Sequence, residues 1–300
     1  MTGSESVPVP PLCTTIVAFV LVVAYVGKIL LDISLTSIAL WPLMVIRKKE
    51  IMRCVYAPFM HSGIVHLIMN TTTLIFMGSR VERIVGTTTT IVFIVYGIVC
   101  TSLLYLGYYY TLYQMSGQDI KYLSISCVGF SGILFGMAVV ECVTAKQTTR
   151  TLFGFRISMR AYPFVLAIVL QFLIPSLSFV GHVSGIVYGL AFVSGFFDRI
   201  LCATTAVSRQ LSRLPYFVPE PDERWQRPLS DTYPEMTALV SRFRRPTLPM
   251  YNRIETHDAL EVSGGTNDDE VEERERPISE PTNRDDVRAK RLAYLGVDKA

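Results

Sequence analysis

Six stretches of this chain are almost wholly apolar, at about residues 12–31, 59–78, 88–110, 128–145, 161–176 and 179–198. Runs of this kind predict membrane helices, because a bilayer core takes ~20 apolar residues per helix and leaves backbone polar groups no water to bond. The fifth and sixth runs are short by that measure, which keeps a five-span reading open. Pro175 and Ser176 interrupt the run between them and favour a tight turn over one long helix. The segment 35–57 mixes Trp41 and Pro42 with Arg47, Lys48, Lys49 and Arg53, too polar to span but suited to the interface. Beyond about Leu201 the apolar pattern stops, prolines recur, and Asp268–Glu275 is strongly acidic. With little apolar surface to offset ordering entropy, most of 205–284 is expected to be disordered. The expected fold class is therefore all-α, a polytopic six-helix membrane bundle over 12–198. A short segment, 1–11, precedes it, and a largely disordered cytosolic tail, 199–300, follows.

Composition agrees with that division. Half of the 300 residues are hydrophobic, and the mean hydropathy is +0.38. Residues 1–198 carry 12 Lys/Arg and 7 Asp/Glu, and residues 199–300 carry 16 and 18. A net charge of +3 spread this way does not point to nucleic acid. The six cysteines (13, 54, 100, 127, 142 and 202) form no C-x-x-C and read as small buried hydrophobes. Arg80 and Arg83 follow the second run, and Lys146, Arg150, Arg156 and Arg160 lie between the fourth and fifth. Together with the tail's arginines they put the ends of the even-numbered helices in the cytosol. Arg47, Lys48, Lys49 and Arg53 run against that assignment, and an interfacial loop would accommodate them.

That topology brings the unusual polar residues to one side. His61, His66 and Asn70 lie near the start of the second span, Ser131 near the start of the fourth, and His182 near the start of the sixth. Each is costly in hydrocarbon unless it finds a partner. From Ser131 to Thr144 the fourth span is about 21 Å long against a ~30 Å core, so Ser131 should sit below the outer surface. A serine nucleophile needs a base, and His182 is the histidine on a later span. The N–H of Ser131, at a helix start, could help hold an oxyanion. His66 and Asn70, four apart on one face, could add two donors. A serine between glycines is ordinarily a packing contact, and His66 with Asn70 could be interhelical glue. The joint placement raises the chemistry above both. Gly185-x-x-x-Gly189 is a packing motif under either reading, letting the fourth and sixth helices touch.

Taken together these residues resemble the rhomboid intramembrane serine proteases, over about residues 50–198. His61-x-x-x-x-His66-x-x-x-Asn70 resembles the family's second-helix signature, whose His and Asn help hold the oxyanion. Gly129-Phe130-Ser131-Gly132 resembles its G-x-S-G with the nucleophile, and His182-x-x-Gly185-x-x-x-Gly189 the sixth-helix signature with the base. The run Gly78-Ser79-Arg80-Val81-Glu82-Arg83 is similar to the segment closing the second helix, where Glu82 and Arg83 would be structural, as would His61, Gly129 and Gly132. Three positions depart from the pattern. Met52 precedes Arg53 where many members have Trp, Phe135 replaces a common tyrosine, and Ser79 replaces a glycine.

The resemblance implies a Ser131–His182 dyad without an aspartate, no metal and no cofactor. It implies cleavage of single-pass transmembrane proteins near the non-cytosolic face. The alternative is a catalytically inactive rhomboid-like scaffold in membrane-protein quality control or trafficking, a class that usually lacks the serine or the histidine. In the tail, 285–295 reads as a short helix with acidic residues first and basic ones after. It resembles the arginine-rich motif by which some endoplasmic-reticulum rhomboids recruit a cytosolic AAA ATPase, with Arg288, Arg291 and Leu292 as the contact residues. A merely solvated helix would have the same pattern. The tail starts on the cytosolic side, opposite Ser131, so removing 205–300 should leave reporter cleavage by detergent-solubilised protein nearly intact. The N-terminus shows no basic, Arg/Ser-rich presequence, so a membrane of the endoplasmic reticulum or secretory pathway is expected rather than a mitochondrial one.

Overall fold

The computed structural model describes residues 9–145, 147–197, 208 and 210–219. All of them fall in one unit of the chain, Met1–Arg245. The protein is mostly helical. Helix α1, Leu12–Leu30, is followed by short helices α2 (Leu35–Ile38), α3 (Pro42–Lys48) and α4 (Arg53–Tyr56). The next long rod runs from Ile64 to Val85 as α5 (Ile64–Thr73), a π-helical turn (Leu74–Gly78) and α6 (Ser79–Val85). Helix α7, Thr87–Met115, leads through a loop with a 3₁₀ turn at Ile120–Ser124 to α8, Ser131–Thr144. A hairpin of β1 (Thr149–Leu152) and β2 (Phe155–Ser158) then precedes α9 (Tyr162–Leu173) and α10 (Phe179–Val193).

Three of these rods, Leu12–Leu30, Ile64–Val85 and Thr87–Met115, are long and apolar enough to cross a membrane, and α8, α9 and α10 are shorter apolar helices. The outward faces are apolar too: Phe19, Val23 and Ile29 on α1, Val95 and Leu103 on α7, and Ile168 and Phe172 on α9 are all exposed. Exposed apolar side chains in such number are what a surface solvated by lipid requires.

Several boundaries differ from the sequence pattern. The second rod begins at Ile64 rather than near 59, because Ala57–Phe59 forms a separate 3₁₀ turn, and it runs on to Val85 past two arginines. It stops at Gly86, whose φ of 88° breaks the helical path before α7 starts. The loop between α8 and α9 is partly ordered as an antiparallel ribbon, turning at Phe153 and Gly154 with φ of 48° and 85°. The fold is thus not purely α-helical. The 35–57 segment is a run of short helices folded back on itself, and Arg53, expected at the interface, is 5% exposed. Its guanidinium donates to the carbonyls of Thr36 and Ala39 and pairs with Glu50 at 2.6 Å. Arg47 likewise donates to the Tyr113 hydroxyl. Cys13, Cys54, Cys100, Cys127 and Cys142 are free thiols.

At one end of the bundle a single carboxylate joins distant elements. Glu82 is fully buried and accepts from the backbone N–H of Cys13 and Thr14 and from the hydroxyls of Thr14 and Thr87. Helix α1 follows Pro11, which offers no side-chain cap, so Glu82 supplies the acceptors its first turn lacks. The remaining donor there, the Leu12 N–H, bonds the carbonyl of Tyr216. Val218 then accepts from the Thr87 N–H and donates to the Thr87 hydroxyl. This part of the segment expected to be largely disordered is therefore a strap across the starts of α1 and α7. Nearby, Arg83 donates to the Val9 carbonyl.

Helices α8 and α10 are the most closely packed pair. A Cβ at Gly185 would collide with the Gly132 carbonyl, and one at Gly189 would lie 2.7 Å from the Gly136 carbonyl. Gly132-x-x-x-Gly136 thus meets Gly185-x-x-x-Gly189 backbone to backbone, the small-residue packing by which helices associate in lipid. Beside this seam the rings of Phe93, Tyr188 and Phe192 pack in tilted and edge-on contacts, and the Tyr188 hydroxyl donates to the Phe93 carbonyl.

Candidate active site

The backbone of α8 begins at Ser131 because of the two residues before it. Gly129 has φ of 116°, a conformation that side chains rarely adopt, and a Cβ there would meet the His66 ring at 2.6 Å. Phe130 is αR and fully buried, and its carbonyl accepts from Ile133 and Leu134 to open the helix. The Ser131 N–H therefore precedes the first intrahelical bond and points out of the helix start. On α10, Ser178 caps the first turn: its Oγ accepts from Gly181 and its carbonyl from the His182 N–H. That cap sets where His182 emerges.

Close approach of α8 and α10 then brings the two side chains together. His182 Nε2 lies 3.1 Å from Ser131 Oγ, and His182 is 1% exposed. The Phe135 ring, one turn along from Ser131, stacks on the imidazole at 4.4 Å between centroids and 30° between planes. His182 Nδ1 has no hydrogen-bond partner among the described residues. If the serine hydroxyl donates to Nε2, the ring proton sits on Nδ1, the tautomer in which Nε2 can accept a proton.

His66 and Asn70 line the same cavity as Ser131 and His182. The Asn70 amide donates to the His66 carbonyl at 2.8 Å, which fixes the amide group, and His66 Nε2 makes no hydrogen bond among the described residues. Ser62 Oγ lies 3.2 Å from His66 Nδ1 and can hold the other ring nitrogen. His61 is fully buried and sets its ring edge-on to His66 at 5.1 Å, and its carbonyl accepts from the Lys28 ammonium at the end of α1. The cavity measures about 380 Å³ and runs between the α5–α6 rod, α8 and α9, with Met77, Leu134, Ala138 and Leu166 as apolar walls.

The geometry thus gathers Ser131, His182, His66 and Asn70 around one cavity, with His61, Gly129, Gly132, Gly185 and Gly189 beside or behind them. Glu82 and Arg83 lie apart from it, at the helix starts. Arg288, Arg291 and Leu292 lie outside the described residues. Sequence reasoning did not pick out Ser62, Gly136 or Ser178. The four-residue spacing of Gly132 and Gly136 was the available signal for one; a serine near a histidine or before a helix is too common to mark the other two. Among the described residues no group of three or more His, Cys, Asp or Glu side chains could hold a metal ion.

Comparison with known proteins supplies the class. Residues 48–199, just over half of the chain, match the Rhomboid domain family, and the chain belongs to that family. It is a membrane protein of the rhomboid helical type. It is similar to Rhomboid-like protein 15 of Arabidopsis thaliana, 30% identical over 166 residues that cover 53% of this chain and 40% of that protein. Rhomboid-related protein 4 of Homo sapiens is 28% identical over 157 residues, covering 52% and 49%. Rhomboid-like protein 14, mitochondrial, of Arabidopsis thaliana is 27% identical over 174 residues, covering 56% and 52%. The chain spans about half the length, or less, of the curated relatives it matches.

Proposed function

We propose that this protein is an intramembrane serine endopeptidase that cleaves single-pass transmembrane proteins with a Ser131–His182 dyad. The family contains both active proteases and inactive members, so the reading rests on this chain's own geometry. The observation that carries it is the 3.1 Å approach of His182 Nε2 to Ser131 Oγ inside a cavity that His66 and Asn70 also line. Ser131 Oγ attacks the scissile carbonyl while His182 takes its proton and later returns it to the leaving amine. The Ser131 N–H, a His66 ring N–H and the Asn70 amide donate to the oxyanion, with the positive end of the α8 dipole beneath it. Phe135 holds the imidazole plane in place of an orienting carboxylate.

In this reading α8, α9 and α10 complete a six-span bundle, with Ser131 and His182 toward the non-cytosolic face. A substrate helix must unwind before its carbonyl can reach Ser131, so segments with Gly, Pro or small residues are preferred. Purified protein should cleave a transmembrane reporter, and Ser131→Ala or His182→Ala should each remove roughly 10³-fold or more of that rate. Cleavage that survives Ser131→Ala rules out the mechanism. An inactive scaffold would instead show no cleavage and bind its clients equally well with either substitution.

A further inference from the structure

At the end of the cavity away from Ser131, its apolar walls give way to charge. Arg80 Nε pairs with Glu141 Oε1 at 2.6 Å, and Arg150 Nη1 with Glu141 Oε2 at 2.9 Å. Both arginines line the cavity, as does Tyr162, whose ring lies 4.8 Å beneath the Arg150 guanidinium. Burial disfavours the Arg150 charge, but the adjacent Glu141 carboxylate outweighs it and holds the pKa above its ordinary value. Two guanidinium groups share one carboxylate, so the cluster carries one formal positive charge in excess. Each guanidinium has five N–H donors and gives one recorded bond to Glu141, which leaves donors for a further acceptor.

The hairpin that carries Arg150 has an amphiphilic tip. Phe153 and Phe155 are 72% and 74% exposed, and Arg156 beside them is exposed as well. Bare aromatic rings next to arginines suit the boundary between headgroups and acyl chains. Arg150 on this hairpin and Arg80 on α6 meet at Glu141, and the apolar slot extends from them toward Ser131. From Glu141 back to Ser131 along α8 is about 15 Å at ~1.5 Å per residue, long enough for much of an acyl chain.

We propose that this end of the cavity lies at headgroup depth, and that Arg80 and Arg150 bind the phosphodiester of an anionic phospholipid with one acyl chain in the slot between the α5–α6 rod and α9. Charge selects the occupant. A phosphodiester on an uncharged headgroup brings the one negative charge the cluster lacks, whereas a zwitterionic headgroup brings its own cation to the same place. Basic pockets between membrane helices recognise anionic headgroups on this basis. The site does not depend on the catalytic reading, because none of its groups takes part in the dyad.

The test is lipid retention by the full-length protein in nanodiscs of matched-chain phosphatidylglycerol and phosphatidylcholine, counted by native mass spectrometry. Wild type should retain phosphatidylglycerol in preference to phosphatidylcholine. Arg150→Gln leaves the Arg80–Glu141 pair intact but removes the surplus charge, and should cut retention roughly fivefold or more. Glu141→Gln removes the internal competitor and should raise it. Arg156→Gln, which deletes the same charge outside the slot, should match wild type. Equal retention by Arg150→Gln and Arg156→Gln would overturn the site, as would loss of retention in Glu141→Gln or indifference between the two lipids. Displacement of the lipid by millimolar inorganic phosphate would reassign the cluster to a soluble anion and overturn the lipid proposal. Retained lipid that resists phosphate supports it.

Discussion

Phe135 shows how much a single residue can carry at this site. The ring stacks on His182 and, having no hydroxyl, donates no hydrogen bond. Its contribution is the face-on contact alone, which for such pairs is worth about 0.5–1.5 kcal/mol. Phe135→Ala should therefore lower kcat on a transmembrane reporter about tenfold at most, with KM little changed, because the imidazole gains freedom while the cavity persists. Phe135→Tyr should keep the stack and the rate. A thousandfold loss in Phe135→Ala would mean that the ring does more than orient the base. Ser131, His182, His66 and Asn70 were legible in the sequence because polar groups inside apolar runs stand out against their neighbours. Ser62 was not, since a serine just outside a helix has many ordinary reasons to be there.

Among the elements, α8 and α10 depend on glycines whose importance varies with place rather than type. Gly185→Ala would drive a methyl into the Gly132 carbonyl, a backbone atom that cannot move aside. Separating the helices would pull His182 from Ser131, so this variant should lose both activity and thermal stability in detergent. Gly107, in the middle of α7, has nothing within 4 Å of its would-be Cβ. Gly107→Ala should be harmless or stabilise by about 0.5–1 kcal/mol, as replacing glycine inside a helix usually does. If the two substitutions behave alike in a melting experiment, the seam between α8 and α10 is not where the site is set. The spacing of Gly185 and Gly189 announced a packing face. That α8 is the helix it meets follows from the expected pairing of Ser131 with His182, but no local pattern says that Gly132 and Gly136 are the residues met.

For the whole molecule the tail is where the structure alters the experiment most. Removing 205–300 looked harmless from the sequence, but Tyr216 and Val218 bond the first residues of α1 and α7. A chain ending at Pro219 should match the full protein in thermal stability and reporter cleavage. One ending at Thr204 should melt lower, because the Leu12 and Thr87 N–H groups lose their acceptors at about 1–3 kcal/mol for each one left unsatisfied. Equal melting of the two truncations would show that the strap contributes nothing. The Pro219 truncation also gives the cleaner background for the proposed docking helix, whose Arg288, Arg291 and Leu292 it lacks. Pull-down of a cytosolic AAA ATPase should then fail while cleavage continues. Equal recovery from both chains would remove the docking claim alone.

The amino-acid sequence by itself determined roughly where the apolar helices lie, though not their ends, because lipid imposes a local rule: backbone groups must pair within the segment and the side chains around them must be apolar. It also marked the candidate chemistry, since a serine, two histidines and an asparagine in such runs violate that rule unless they have a task. Only the tertiary structure decided what satisfies what. Glu82 answers donors on Cys13 and Thr14, 69 and 68 positions away. Arg53 turns inward to carbonyls on α2 and its flank, and a strap read as unstructured closes two helix starts. Hydrogen bonds and the meeting of glycines are pairwise, and the partner of a given group depends on how whole helices cross. A periodic pattern describes one helix at a time, so it cannot contain that choice.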